Sequence, residues 1–204
     1  MDEKRVLKEF SDAGALLDGH FVLSSGLHSS RYLQCARALM DAKRAARLCK
    51  ALAKNVQDLI TKPIDLVVSP AMGGVIVGYE MGRQLGVPAI FLERVDGEFT
   101  LRRGFDIPKG TRVLMVEDIV TTGLSSREAI TAIRAAGGSV VGAACLIDRS
   151  SGKAKIGVKL ASLMQLSVPA YEADKLPPEL ATICLLYTSP SPRDLSTSRM
   201  PSSA

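Results

Sequence analysis

The stretch VLMVEDIVTTGLS, residues 113–125, determines how the rest of this 204-residue chain is interpreted. Its first four residues, Val113 to Val116, form an uninterrupted apolar run, which is typical of a strand buried on both faces of a parallel sheet. Glu117 and Asp118 follow at the carboxyl end of the predicted strand, where open α/β sheets bind their ligands. We therefore predict an α/β fold with a ligand site at the end of this strand.

The second half of the stretch predicts a phosphate-binding turn. Thr121 to Ser125 form a short turn in which Gly123 is free to adopt positive φ, and a helical pattern runs from Arg127 to Ala136. Backbone N–H groups at such a helix N-terminus converge on an anion such as a phosphate. The two acids cannot bind that phosphate, so they suit sugar hydroxyls or a metal that holds other phosphate oxygens. The alternative is that they end the strand and cap the helix.

Composition and charge exclude several classes of protein. The formal charge of +5 is modest and lacks the blocks of like charge that are typical of nucleic-acid arms, so we expect no nucleic-acid partner. The cysteines are widely spaced, which favours reduced thiols over metal ligands; they are Cys35, Cys49, Cys145 and Cys184. No run approaches membrane-spanning length, so we expect a cytoplasmic protein without a membrane partner.

Other segments repeat the pattern of strand, turn and helix. Helices are predicted over residues 2–17, 41–59 and 75–85, and further strands over residues 64–69, 87–92, 139–147 and 160–166. Asp148 and Arg149 follow one of these strands, again at the ligand edge of the sheet. Residues 93–106 contain charges of both signs and two glycines, which suits either a β-hairpin or a mobile loop.

The two ends of the chain differ in character. Phe21 to Leu23 and Arg31 to Gln34 are predicted to form a hairpin whose loop offers hydroxyl donors to a flat polar ligand, or is simply solvated. Residues 185–204 are rich in Ser and Pro without an apolar period, which predicts disorder. We interpret residues 1–184 as one domain and residues 185–204 as a non-native tail.

Residues 113–125 resemble the phosphoribosyl-pyrophosphate signature of the type I phosphoribosyltransferases. The segment from Phe21 to Tyr32, together with Arg149, resembles the orotate phosphoribosyltransferases. The resemblance implies a parallel-sheet type I fold flanked by helices, with a small N-terminal hood and a mobile lid loop. It also implies a homodimer that transfers phosphoribosyl from phosphoribosyl pyrophosphate to orotate in UMP biosynthesis, with Mg²⁺ held mainly by substrate pyrophosphate and water rather than by protein ligands.

The resemblance further implies roles for individual residues. Those implied for binding phosphoribosyl pyrophosphate are Glu117, Asp118, Ile119, Val120, Thr121, Thr122, Gly123, Leu124, Ser125 and Arg94. Those implied for binding orotate are Thr121, Arg149 and Ser25, and the catalytic set is Glu117, Asp118, Arg102 and Arg103. Family members often have lysines where this chain has Ser24 and Gly73, so no lysine role is carried over.

Two other functions share the opening motif. A purine phosphoribosyltransferase would differ in its base pocket, and a purine has no carboxylate for Arg149 to pair with. A regulator that senses phosphoribosyl pyrophosphate and binds nucleic acid would need a basic surface that the sequence does not indicate. An inactive scaffold is disfavoured because both acids and Gly123 are present.

Overall fold

The structure is a computed structural model that describes residues 1–23 and 26–187. Within these residues the elements are α1 (Glu3–Asp12), β1 (Leu16–Val22), β2 (His28–Leu33), α2 (Cys35–Leu39), α3 (Ala42–Leu59), β3 (Leu66–Pro70), α4 (Gly74–Leu85), β4 (Ala89–Val95), β5 (Glu98–Leu101), β6 (Arg112–Val120), α5 (Leu124–Ala135), β7 (Ser139–Asp148), β8 (Leu160–Gln165), β9 (Ala170–Tyr171), α6 (Pro178–Ala181) and β10 (Leu185–Tyr187). No described helix is long and apolar enough to cross a membrane. The chain divides into two compact units, one of Met1–Ala15 with Cys35–Ser167 and one of Leu16–Gln34 with the residues from Val168 onward.

The larger unit is built on a mainly parallel sheet. Its described residues form six strands in the order β5-β4-β3-β6-β7-β8, in which β5 alone runs antiparallel to its neighbour. Strand β6 is central, and Val113 to Glu117 are all buried, as a strand covered on both faces requires. The predicted α/β class is confirmed.

Helices cover this sheet because their apolar residues recur at helical spacing. Asp41 caps α3 by accepting a hydrogen bond from the Arg44 backbone N–H at 2.8 Å, as its position in the sequence indicates. Leu48 and Leu52 of the same helix are fully buried. Burial of one such side chain stabilises the fold by roughly 1.5–3 kcal/mol.

The packing of α5 fixes the position of its N-terminus. Ile130 and Ile133 of this helix are buried against Val68 of β3 and Met115 of β6 in one apolar cluster. Gly123, at φ +73°, precedes the first residue of the helix. The cluster therefore holds the start of α5 beside the carboxyl end of β6.

Several predicted boundaries of the larger unit are wrong. Helix α1 ends at Asp12, because Gly14 adopts φ +57° and the next strand begins at Leu16. Helix α2 was not predicted. Strand β6 continues to Val120, so the two acids lie inside the strand rather than beyond it. The hairpin alternative for residues 93–106 is confirmed by the pairing of β4 with β5, and the mobility of this segment stays a prediction.

The smaller unit is organised around the predicted N-terminal hairpin. Its described strands form a sheet in the order β10-β1-β2-β9. The Ser29 hydroxyl donates to the backbone oxygens of Arg31 at 2.9 Å and Pro169 at 3.1 Å, which ties β2 to the C-terminal chain. Residues 185–187, which were predicted to be disordered, pair with β1 as β10. The rest of the predicted tail, residues 188–204, lies outside the described residues, and the domain limit at residue 184 stays a prediction.

Candidate active site

The two acids of β6 contact different helices. Successive side chains of a strand point to opposite faces of the sheet. Glu117 accordingly accepts a hydrogen bond from Ser126 of α5, whereas the Asp118 carboxyl lies against Gly73, which caps α4. Glu117 therefore contacts the N-terminal end of α5, and Asp118 contacts the N-terminal end of α4.

Glu117 is an acid held in a nearly water-free position. Glu117 is only 6% exposed. Ser126, whose hydroxyl donates to Glu117 Oε2, is fully buried. Burial raises the pKa of Glu117 above its ordinary value, while the hydroxyls of Ser126 and Ser125 act in the opposite direction. A buried carboxylate is costly unless hydrogen bonds or a ligand compensate it.

Asp118 occupies space that a side chain at position 73 would need. A Cβ atom on Gly73 would lie 2.9 Å from Asp118 Oδ2 and 3.0 Å from Oδ1. The Asp118 Oδ1 atom accepts the Ile119 backbone N–H at 2.9 Å, and burial raises the pKa of this carboxyl. The resemblance places Gly73 in a loop that cradles pyrophosphate through backbone contacts, but its contact with Asp118 was not predicted from sequence.

A cavity of about 200 Å³ opens at the N-terminus of α5. It is lined by Arg94, Glu117, Ile119, Val120, Thr121, Thr122, Gly123, Leu124, Ser125, Ser126 and Glu128. The structure thus brings together every residue assigned to phosphoribosyl pyrophosphate except Asp118, which lies beside Gly73 instead. Ser126 and Glu128 were not predicted. Both residues lie in the first turns of the helix that begins within residues 113–125. Their position on that helix is the signal that could have identified them.

Arg94 reaches this cavity from β4. Its Nη2 donates to Glu128 Oε2 at 2.7 Å, its Nη1 donates to the Gly97 backbone oxygen, and its guanidinium lies 4.1 Å from the centre of the Phe99 ring. The β4–β5 hairpin and α5 therefore hold this cation at the rim of the cavity.

Arg102 and Arg103 lie elsewhere on the hairpin. Both donate to Glu93, Arg102 from Nη1 at 3.3 Å and Arg103 from Nε. Neither lines the cavity that contains Glu117. The structure does not bring these two arginines to the acids, and their catalytic role stays a prediction.

Arg149 stands at the same sheet edge as the turn that is predicted to bind phosphate. Its backbone N–H donates to the Val120 oxygen at 2.8 Å, directly before Thr121. The buried Asp148 carboxylate accepts the N–H of Ser150 at 2.8 Å and that of Gly152 at 2.9 Å. Asp148 thereby orders the turn on which Arg149 is carried. The orotate prediction for Ser25 falls outside the described residues.

The described residues can be searched for clusters of metal-ligating side chains. Residues 1–23 and 26–187 contain no group of three or more His, Cys, Asp or Glu side chains arranged to hold an ion. Cys35 and Cys145 are buried thiols whose pKa values are raised by burial and by the neighbouring carboxylates. Protonated thiols are poor metal ligands.

Comparison with known proteins places the chain in a family. Residues 36–164 match the model of the phosphoribosyl transferase domain. The orotate phosphoribosyltransferase of Parvibaculum lavamentivorans is 61% identical over 90% of this chain and 94% of its own length. That of Rhizorhabdus wittichii is 60% identical over 90% of this chain and 93% of its own length. The crystal structure of orotate phosphoribosyltransferase from Aeropyrum pernix is 32% identical and has a TM-score of 0.66, over 79% of this chain and 93% of that one. Fold, signature and relatives agree, and the chain belongs to the orotate phosphoribosyltransferase family.

Proposed function

We propose that this site transfers the 5-phosphoribosyl group from phosphoribosyl pyrophosphate to orotate, giving orotidine 5′-phosphate and pyrophosphate. The observation that supports this most directly is the cavity at the N-terminus of α5, which Glu117 borders. A phosphate-binding turn beside buried acids is the combination that a phosphorylated sugar needs. The high identity to relatives named orotate phosphoribosyltransferase disfavours the purine and regulatory alternatives.

The 5′-phosphate binds at the turn before α5. Gly123 offers no side-chain cap to this helix, and the Leu124 N–H makes only a long hydrogen bond of 3.4 Å to the Thr122 hydroxyl. The N–H groups of the first turn can therefore turn to an anion. Thr121, Thr122 and Ser125 add hydroxyl donors around the same cavity. The partial positive charge of the helix N-terminus further stabilises the phosphate.

The acids bind the ribose and support the charge that develops on it. As the bond from the anomeric carbon to pyrophosphate breaks, that carbon gains oxocarbenium character before the orotate ring nitrogen bonds to it and loses its proton. Carboxylates of Glu117 and Asp118 that accept the ribose hydroxyls would lie close to this developing positive charge. Preorganised charges act most strongly in sites that exclude water.

The carboxylates of the site suit a magnesium ion that is bound mainly by the substrate. Magnesium keeps several waters and binds through one or two carboxylates plus substrate phosphates rather than through a protein cage. Glu117 and Asp118 could contact such an ion or its waters, whereas Glu128 of the same cavity is already paired with Arg94. When bound, the ion neutralises charge on the leaving pyrophosphate.

The arginines of the hairpin would complete the site over the pyrophosphate. Arg94, Arg102 and Arg103 are partly exposed and paired with Glu128 or Glu93. Exposed ion pairs contribute about 0–1 kcal/mol, so a phosphate can replace the glutamates as partner. Closure of the hairpin would also exclude water that could hydrolyse the substrate.

A second copy of the chain is the partner that suits the exposed face of α4. Ile76 and Tyr79 of this helix are 47% and 69% exposed, and with Phe91 they border a hollow of about 290 Å³. Contiguous exposed apolar side chains favour an interface. Sedimentation should give the mass of a homodimer, and a monomer at micromolar concentration would contradict this assignment.

Orotate would be recognised through Arg149 and Thr121. A guanidinium binds a planar carboxylate through two parallel hydrogen bonds, which an amine cannot reproduce. Arg149→Ala should therefore raise KM for orotate about 10-fold or more, the range of a lost charged hydrogen bond, with little change for phosphoribosyl pyrophosphate. Arg149→Lys is the matched control, because it keeps the charge without the fork. Equal effects on both substrates would remove the assigned role.

The reaction itself is tested by ultraviolet absorbance. Orotate should be consumed in the presence of phosphoribosyl pyrophosphate and magnesium, and adenine, hypoxanthine and uracil should not. Consumption of a purine in place of orotate would overturn the proposed substrate.

A further inference from the structure

We propose that Ser126 is a positioning residue, which fixes the Glu117 carboxylate as an acceptor for the ribose hydroxyls and links it to the phosphate-binding turn. Ser126 lies one position beyond the 113–125 signature, so the family motif does not assign it. The inference rests on the proposed role of Glu117 in binding ribose.

The contact joins two elements at the centre of the site. Ser126 is in the first turn of α5 and fully buried, and its hydroxyl donates to Oε2 of Glu117 in β6. The Glu117 backbone is fixed by its pairing with Cys145 of β7, which leaves the carboxylate orientation to side-chain contacts. A carboxylate has about four acceptor sites, so this hydrogen bond leaves capacity for a ligand.

The groups around Glu117 differ in what they can offer its carboxylate. Asp118 follows it on β6, Cys145 faces it from β7, and Ser125 and Ser126 face it from α5. At the cavity rim, Arg94 is already paired with Glu128. Burial raises the pKa of Glu117, and the serine hydroxyls oppose that rise. Of these groups, the Ser126 hydroxyl donates directly to Oε2, so its removal should leave the carboxylate less firmly oriented.

Ser126 also makes the phosphate site and the ribose site parts of one structure. It follows Ser125 of the proposed phosphate-binding turn directly, within the same helical turn. A phosphate that orders this turn would also order the hydroxyl that holds Glu117. The ribose hydroxyls then meet an acid that is already oriented, which reduces the entropy that must be lost in the reaction.

Ser126→Ala tests this assignment. Because a hydrogen bond to a charged group is lost, kcat/KM for phosphoribosyl pyrophosphate should fall about 10- to 100-fold. Calorimetry should show weaker binding of ribose 5-phosphate and unchanged binding of inorganic phosphate, since only the former presents hydroxyls to Glu117.

Two further variants separate positioning from packing. Thr131→Ala removes another hydroxyl of α5, one that donates to the Arg127 backbone oxygen at 2.9 Å, and should change none of these quantities. Ser126→Cys keeps the volume and a weak donor, so it should fall between Ser126→Ala and the unaltered protein even if Ser126→Ala folds poorly.

A double-mutant cycle with Glu117→Gln decides the outcome. If Ser126 acts through Glu117, Ser126→Ala should cause little further loss in the Glu117→Gln background. An equal further loss, or an equal loss of inorganic phosphate binding, would mean that Ser126 only packs the helix, and would overturn the proposal. Full activity of Ser126→Ala beside an inactive Glu117→Gln overturns the role of Ser126 alone. Full activity of Glu117→Gln overturns the ribose role and this inference together.

Discussion

Strands β3 and β6 are parallel neighbours, and each leads through a glycine-containing turn into a helix that packs on the sheet. The first turn ends in Gly73 and exposes Met72, which is 84% accessible, so its side chains bring no charge to the site. The second follows a strand that carries Glu117 and Asp118. The first turn contributes space and backbone to the proposed site, whereas β6 contributes the acids and the second turn leads to a helix N-terminus.

The two glycines differ in what they provide. Gly123 has φ +73°, a conformation that L side chains rarely adopt, and a Cβ there would lie 2.7 Å from Ile156 Cγ2. Gly73 has φ −57°, which any residue adopts, but a Cβ there would lie 2.9 Å from Asp118 Oδ2. Position 123 requires glycine because of its backbone conformation. Position 73 requires glycine because the Asp118 carboxylate lies so close to it.

Asp118→Asn should have the largest effect on catalysis. It removes the negative charge from the ribose side of the site while leaving an oxygen to accept the Ile119 N–H. Loss of one electrostatic contact to a developing charge typically costs about 100- to 1000-fold in kcat. Steady-state kinetics measures this, with the exposed Asp58→Asn on α3 as the matched control. An active Asp118→Asn enzyme would show that Asp118 of β6 does not supply the ribose contact.

Gly123→Ala should come next. The left-handed conformation costs about 1–2 kcal/mol with a side chain, and the contact with Ile156 adds to it, so KM for phosphoribosyl pyrophosphate should rise and the melting temperature should fall. Gly110→Ala is the control, since it has φ +86° with nothing within 4 Å of an added Cβ. It should lower the melting temperature without changing KM. Identical kinetics for both variants would mean that the turn before α5 does not bind the phosphate.

Gly73→Ala should have a smaller and different effect. Its backbone is compatible with alanine, so the melting temperature should fall less than in Gly123→Ala. The added Cβ displaces the Asp118 carboxylate, so kcat should fall several-fold. A rise in KM together with a lower melting temperature, as expected for Gly123→Ala, would mean that the two glycines serve the same purpose.

This division between the turns was only partly predictable from sequence. The apolar run before Glu117 is enough to predict a buried strand, and the glycine with hydroxylated neighbours is enough to predict a turn that binds phosphate. The continuation of β6 to Val120 was not predictable, because it depends on pairing with β7.

The contacts between distant segments escaped sequence reasoning for the same reason. Gly73 and Asp118 meet only because β3 and β6 are adjacent, which no local pattern encodes. Likewise, β10 forms from residues whose composition predicts disorder, because β1 supplies a pairing edge. Local propensity is overridden where tertiary pairing supplies hydrogen bonds.

The smallest expected effect concerns stability rather than rate. Burial raises the pKa of Asp118 in the folded protein, so its carboxyl stabilises the fold below its unfolded pKa of about 4, and this contribution is lost as pH rises through the folded pKa. Asparagine stays neutral at every pH. The melting temperature of Asp118→Asn should therefore match that of the unaltered protein in acid and exceed it at neutral pH. Differential scanning calorimetry across this range tests the sign. A lower melting temperature at neutral pH would mean that the Ile119 hydrogen bond outweighs the cost of burial. Asp118 would then stabilise the carboxyl-terminal part of β6. The space that Gly73 leaves for its carboxylate would serve stability as well as catalysis.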